Sequence, residues 1–262
     1  MIAQLRTLFR YRLLIQSLVG RELKARYRGS VLGFFWSFVN PLLLLLTYVL
    51  VFTVVLPTGK HSPAMEPFAL FFFCGILPWT WFSASLLESS GVLISGGNLI
   101  KKVLFPAEVL PVVTVFANLA HFVLGLPILL VFLIYYGRLR PEALLLPLPV
   151  LVQLVFTLGL ALGISALTVH FRDIQNILGH LMHLLFFASP VLYLYGEVSG
   201  RMRSFLRFNP MSHILVAYQQ ILFDGDFHHW EGLGSAALAA LATFAVGAFL
   251  FERLRDTLAE EV

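Results

Sequence analysis

Four cations, Arg21, Lys24, Arg26 and Arg28, stand immediately before a run from Val31 to Leu56 that contains no charge at all. The two stretches want different solvents. Lys and Arg are costly in hydrocarbon, and a helix needs about 20 apolar residues to cross a bilayer core. The junction near Gly29-Ser30 is therefore read as a membrane surface. A secretory signal peptide fits poorly: the basic and apolar segments are both too long, and no small-x-small cleavage site precedes Pro57.

The rest of the 262 residues agrees, with 12% charged residues, 59% hydrophobic residues and a mean hydropathy of +0.87. Soluble domains carry about twice that share of charge. Six apolar spans are expected, at 31–56, 67–90, 109–136, 144–169, 174–195 and 233–251, and no stretch is polar enough for a separate soluble domain. The fifth is interrupted by His180 and His183. The fold class expected is an all-α integral membrane protein forming one domain over 1–262. With the N-terminus in the cytoplasm, 12 of the 18 Lys and Arg fall on the inner side. The positive-inside rule favours this arrangement, which also leaves the C-terminus cytoplasmic.

Three segments lie outside the spans. Residues 1–28 place Leu5, Phe9 and Leu13 at helical spacing, with Arg6, Arg10, Arg21, Lys24 and Arg28 on a second face. They predict a basic amphipathic helix at the inner surface; a plain positive flank is the simpler alternative. Residues 95–108 form the longest inner loop. Gly96-Gly97 ends one helix, Asn98 can cap the next and Pro106 breaks it. A short helix over 98–105 would carry Lys101 and Lys102 beside Leu99, Val103 and Phe105, suited to a cytoplasmic partner or serving as a mere connector. Residues 191–231 predict two short helices separated by Asn209-Pro210, dipping into the outer leaflet or lying on it. Irregular backbone at that depth needs protein or a water-filled cavity beside it.

Motor chemistry is absent: Gly59-Lys60 is followed by His61 and lacks the earlier glycine of a phosphate-binding loop. Ionisable residues within the spans are few, chiefly Glu88, His121, His180 and His183, and the first is read as an interface or hydrogen-bonded carboxylate. Asp224-Gly-Asp226 with His228 and His229 has metal-capable groups but reads better as a capped turn, and no metal is expected. The single cysteine, Cys74, excludes an intrachain disulfide. Aromatic residues are the positive signal. Their faces suit sugar rings, although Trp and Tyr also mark membrane interfaces.

Arg26, Tyr27, Ser30, Leu32, Gly33, Trp36, Asn40 and Pro41 follow the pattern Arg-Tyr-x-x-Ser-x-Leu-Gly, then Trp, then Asn-Pro. In this, and in "NLIKKVLFPAEVLPV", "HFRDIQNIL", "SPVLY" and "NPMSHILVAYQQILFDG", the chain resembles the ABC-2 type permease subunits of polysaccharide exporters that handle O-antigen, teichoic acid or capsule. The resemblance implies a six-span inner-membrane homodimer whose ATP and Mg are bound by a separate cytoplasmic ATPase, with no cofactor or catalytic residue in this chain. Asn98, Leu99, Ile100, Lys101, Lys102, Val103, Leu104 and Phe105 become the helix that couples to the ATPase, and 191–231 an outer gate. The substrate becomes a polyprenyl-diphosphate-linked glycan, met by membrane lipids and not by nucleic acid. Its diphosphate is assigned to Arg26 and Arg28. Its sugars are assigned to a channel lined by Phe34, Phe35, Trp36, Phe38, Phe186, Phe187, Tyr193 and Tyr195. A permease for a small amphiphile such as a drug, haem or lipid is the nearest alternative reading. A membrane-embedded lipid-linked-sugar enzyme is a more distant one.

Overall fold

The computed structural model describes residues 10–26, 28–51, 63–97 and 105–261. Among them are nine α-helices and no strand: α1 Arg12–Arg26, α2 Trp36–Leu50, α3 Phe68–Ser95, α4 Val109–Tyr135, α5 Pro147–His170, α6 Ile174–Phe187, α7 Gly200–Phe208, α8 Pro210–Gln219 and α9 Trp230–Glu261. Of the described helices, α3, α4, α5 and α9 are long and apolar enough to cross a bilayer.

The organising element is α3. Its sequence is apolar on every side from Phe68 to Phe82, and a helix of that kind is stable only when surrounded. It packs against α4, α5, α6 and α8, and Leu70, Phe71, Phe72 and Cys74 have no exposed surface. Aromatic contacts fix its neighbours. Phe82 stacks on Phe156 of α5 at 5.8 Å, Trp79 meets Phe186 of α6 at 5.8 Å, and Trp81 meets Phe122 of α4 at 5.2 Å. Such pairs contribute about 0.5–1.5 kcal/mol beyond area burial. Pro78 lies inside the helix, and the buried Gln153 amide of α5 donates to its carbonyl at 2.8 Å.

Packing between membrane helices depends on close backbone approach, because lipid tails are as apolar as Leu. The α5–α9 contact shows this. Gly159 and Gly247 stand against each other, and a Cβ on Gly247 would collide with the Gly159 carbonyl. Gly163 lies one turn on, with Gly247 Cα again its neighbour.

Several elements depart from the expected pattern. The fifth apolar run does not continue as helix to 195: α6 ends at Phe187 after 14 residues. Ser189-Pro190 ends it, since proline cannot supply the backbone donor that would extend the helix. The amide of Gln219 in α8 holds the Pro190 carbonyl at 2.7 Å. His180 and His183 lie on the exposed face of α6, while Leu178, Met182 and Phe186 form its buried face. In α1 the buried residues are Ile15 and Leu18, whereas Leu13, placed on the apolar face by spacing, is 72% exposed. Packing against α4 selects that face. Residues 1–9, and with them the start of the expected amphipathic helix, lie outside the described residues.

The two short helices expected after residue 191 are present, but they differ in environment. Only Leu206 of α7 is buried. Nearly all of α8 is buried, from Met211 to Gln219, among α3, α5 and α9. Helix α8 therefore lies inside protein, where its exposed ends can be satisfied. Asn209 caps it by accepting from the Met211 N–H at 3.0 Å, and a π-helical turn, Gln220–Asp224, closes it.

Candidate functional site: a polar latch between two clefts

At the end of α1, Arg26 reaches across to α3 and α4. Its Nη2 donates to Glu88 Oε2 at 2.7 Å, and its Nη1 donates to Asn118 Oδ1 at 3.2 Å. The triangle is closed by Asn118 Nδ2, which donates to the same Glu88 oxygen at 2.7 Å and to the Thr114 carbonyl at 3.1 Å. Asn118 is buried, and the side chains of Arg26 and Glu88 are 27% and 38% exposed. Glu88 is thus a hydrogen-bonded, ion-paired carboxylate, one of the readings its sequence position allowed.

Two clefts meet at this triangle. The first, of about 630 Å³, is bounded by Trp36, Asn40 and Leu44 of α2, Ile76 to Ala84 on α3, and Asn118 to Phe122 on α4. The second, of about 660 Å³, lies further toward the Ser95 end of α3, between Leu18, Arg21 and Glu22 of α1 and Leu110 to Thr114 of α4. Arg26 is the residue that lines both. Above it the backbone turns at Gly29, whose φ of +81° is a conformation that side chains with a Cβ rarely adopt. Ser30 then accepts from Trp36 Nε1 at 2.8 Å, which holds the start of α2 over the first cleft. The chemistry available is a guanidinium fork and an amide donor at one end of an otherwise mainly apolar cleft. That combination favours an anion attached to an apolar body.

The other candidate residues are dispersed. Arg28 is exposed. Trp36 lines the first cleft, Phe35 is 69% exposed, and Phe38 is half-buried in α2. The side chain of Phe34 lies outside what is described, as do residues 98–104; of the expected coupling helix only Phe105 is seen, packed against the core. Phe186 is buried against Trp79, while Phe187 is 62% exposed. Tyr193 donates to the Phe187 carbonyl at 3.2 Å. Tyr195 stands against the rings of His213 and His229, at 5.9 and 5.8 Å.

The Asp224–His229 segment is a held turn. Its frame is Gln220, whose carbonyl accepts from Gly225 and Asp226 and whose Oε1 accepts from the His228 and His229 N–H groups, each at 3.1 Å. Asp226 pairs with His228 at the exposed surface. Among the described residues no three metal-capable side chains converge. Burial, foremost, and Asp226 push the Asp224 carboxyl up, while Arg138 opposes them.

Asn118 is not legible as a site residue in the sequence. A lone neutral amide in an apolar run produces no periodic or charge signal, and its link to Arg26 spans 92 positions.

Composition, spanning helices and the buried α8 together define a multi-pass helical membrane protein. The chain belongs to the ABC-2 type transporter family, whose pattern matches residues 13–223. It is 42% identical to an O-antigen export system permease protein RfbA of Myxococcus xanthus over the full length of both chains. A protein of the same name from Klebsiella pneumoniae is 28% identical over 94% of each chain. The polysialic acid transport protein KpsM of Escherichia coli is 22% identical over 93% of this chain and 94% of its own.

Proposed function

We propose that the chain is the permease subunit of an ATP-driven exporter that carries a polyprenyl-diphosphate-linked polysaccharide of the O-antigen class across the inner membrane. The observation that carries this reading is the end-to-end similarity, at 42% identity, to an O-antigen export permease. The absence of a phosphate-binding loop in the sequence is in keeping with a separate cytoplasmic ATPase that binds ATP and Mg.

In this reading two copies assemble, each with six spans and both termini in the cytoplasm. The first span contains α2. The fifth is α6, completed toward the outer side by the Ser189-to-Tyr195 turn and α8. Helix α1 lies along the inner surface, and 98–105 docks on the ATPase. ATP-driven closure of the ATPase pair moves α3 and α4 through that docking segment. The glycan slides between the copies over weakly stacking aromatic rings, because a processive channel must release each sugar it holds. Helices α7 and α8 guard its outer mouth.

The test is affinity purification of the detergent-solubilised chain from its own cells. A stoichiometric P-loop ATPase should accompany it, and the double change Lys101→Glu/Lys102→Glu should release that partner and stop export. Recovery of the chain alone, without an ATPase, would refute the reading.

A further inference from the structure

The Arg26–Glu88–Asn118 triangle is a closed circuit with an unusual position. Along α3 the first cleft occupies 76–84 and the second 88–95; along α4 they occupy 118–122 and 110–114. The circuit sits on the boundary in both helices. A single cation, Arg26, stands where the two clefts meet, and that cation already holds an anion.

We propose that Glu88 is an internal stand-in for an anionic headgroup: it occupies Arg26 until the diphosphate of a polyprenyl-linked substrate displaces it. The substrate class in this proposal rests on the exporter reading above. The displacement follows from the geometry. A carboxylate and a phosphate are both pure acceptors and both fit the guanidinium fork. Asn118 Nδ2 and Arg26 Nη2 already converge on one oxygen of Glu88 at 2.7 Å each. A phosphate oxygen placed there would inherit both donors, and Thr114 would continue to hold Asn118 in orientation.

The exchange has a favourable sign. A partly exposed carboxylate pair is worth little against a multiply charged competitor. A diphosphate carries more charge and more acceptor oxygens than a carboxylate, so it competes well for the same fork. Glu88 is not stranded by its loss, because Arg21 lines the same second cleft. Beyond the circuit, Leu44, Ile76, Leu77 and Phe122 offer apolar walls to the first isoprene units. A volume of about 630 Å³ suits a headgroup with a short length of chain.

The experiment uses the full-length chain in nanodiscs and native mass spectrometry of bound lipid. A polyprenyl diphosphate is titrated against phosphatidylglycerol, with inorganic diphosphate as soluble competitor. Glu88→Gln should tighten polyprenyl diphosphate binding by about ten-fold, and Arg26→Gln should weaken it by about ten-fold or more. The double variant Arg26→Gln/Glu88→Gln should bind as weakly as Arg26→Gln, because the gain acts through Arg26. Glu88→Asp, which keeps the charge on a shorter stem, should fall between Glu88→Gln and the natural chain and covers the case of a poorly folded Glu88→Gln. If the natural chain binds polyprenyl diphosphate and neither Glu88 variant tightens it, the stand-in role is overturned while the exporter reading survives. If Glu88→Gln tightens only phosphatidylglycerol, the stand-in role holds and the polyprenyl-diphosphate reading falls. Competition by inorganic diphosphate as strong as the lipid itself would overturn the headgroup assignment in favour of free phosphate.

Discussion

His213 Nδ1 and His229 Nε2 lie 2.8 Å apart, and the other nitrogen of His213 meets the Arg207 carbonyl at 2.9 Å. With both rings neutral the circuit is complete: His213 Nε2–H donates to the carbonyl and His229 Nε2–H donates to His213 Nδ1. One added proton can be accommodated by reversing the shared bond, but two place N–H groups face to face. Burial, and then His213, hold His229 below its ordinary value of 6.5. The folded chain therefore binds fewer protons than the unfolded chain between the folded value and 6.5. The stabilisation is complete above pH 6.5 and is lost as pH falls toward and through the folded value. Thermal unfolding followed from neutral to mildly acidic pH should show this loss, at most about 1.4 kcal/mol per pH unit for one proton. In His229→Gln the slope should flatten.

Arg138 binds three things at once. It donates to the Glu66 carbonyl at 2.9 Å and to the Phe223 carbonyl at 3.5 Å, and its guanidinium lies 4.8 Å from the centre of the Phe223 ring. Arg138→Gln should cost about 1–2 kcal/mol of stability by denaturant or thermal melts. It also leaves Asp224 without the cation that lowers its raised pKa. Asp224→Asn in the same chain should recover part of the loss.

Gly247 should not tolerate a side chain. Gly247→Leu must push α9 away from Gly159, and loss of the folded monomer in detergent, read by size-exclusion chromatography, is expected. Gly234→Ala, at a helical glycine with open space around it, should be neutral or slightly stabilising, by up to about 1 kcal/mol.

Arg26 and Arg28 should separate cleanly in an export assay with surface glycan as readout. Arg26→Gln leaves Glu88 and Asn118 without their cation and should reduce export about ten-fold or more. The exposed Arg28→Gln should change it by less than about two-fold. Asn118→Leu should cost about 1–3 kcal/mol, because it strips one partner from each of Arg26 and Glu88.

The sequence was readable where one physical signal dominated. Long apolar runs marked α3, α4, α5 and α9 to within a few residues at most ends, although α9 continues through Glu252, Arg253 and Arg255 beyond the expected 251. Gly96 at the end of α3 and Asn209 before α8 were legible because each has a local conformational role. The length of α6 was not. Hydropathy cannot distinguish a spanning helix from a shorter one that turns at Ser189-Pro190 into buried protein. Arg26 and Glu88 stood out as charges beside apolar runs, but their partnership could not be read from residues 62 positions apart. The His213–His229 pair escaped because His213 lies in an apolar helix, 16 positions from its partner, and the acidic turn between them drew attention instead.

Helix α3 ends at Gly96, where the loop toward α4 begins, and touches the π-helical turn through Phe71, whose ring meets Phe223 at 5.4 Å. Its 28 residues cover about 42 Å in one piece. Pro78 would make a weak elbow in such a rod, but the Gln153 amide splints that elbow at the carbonyl. A displacement applied at the Ser95 end consequently reaches the Gln220–Asp224 turn as the swing of a stiff lever, and the fulcrum is α5.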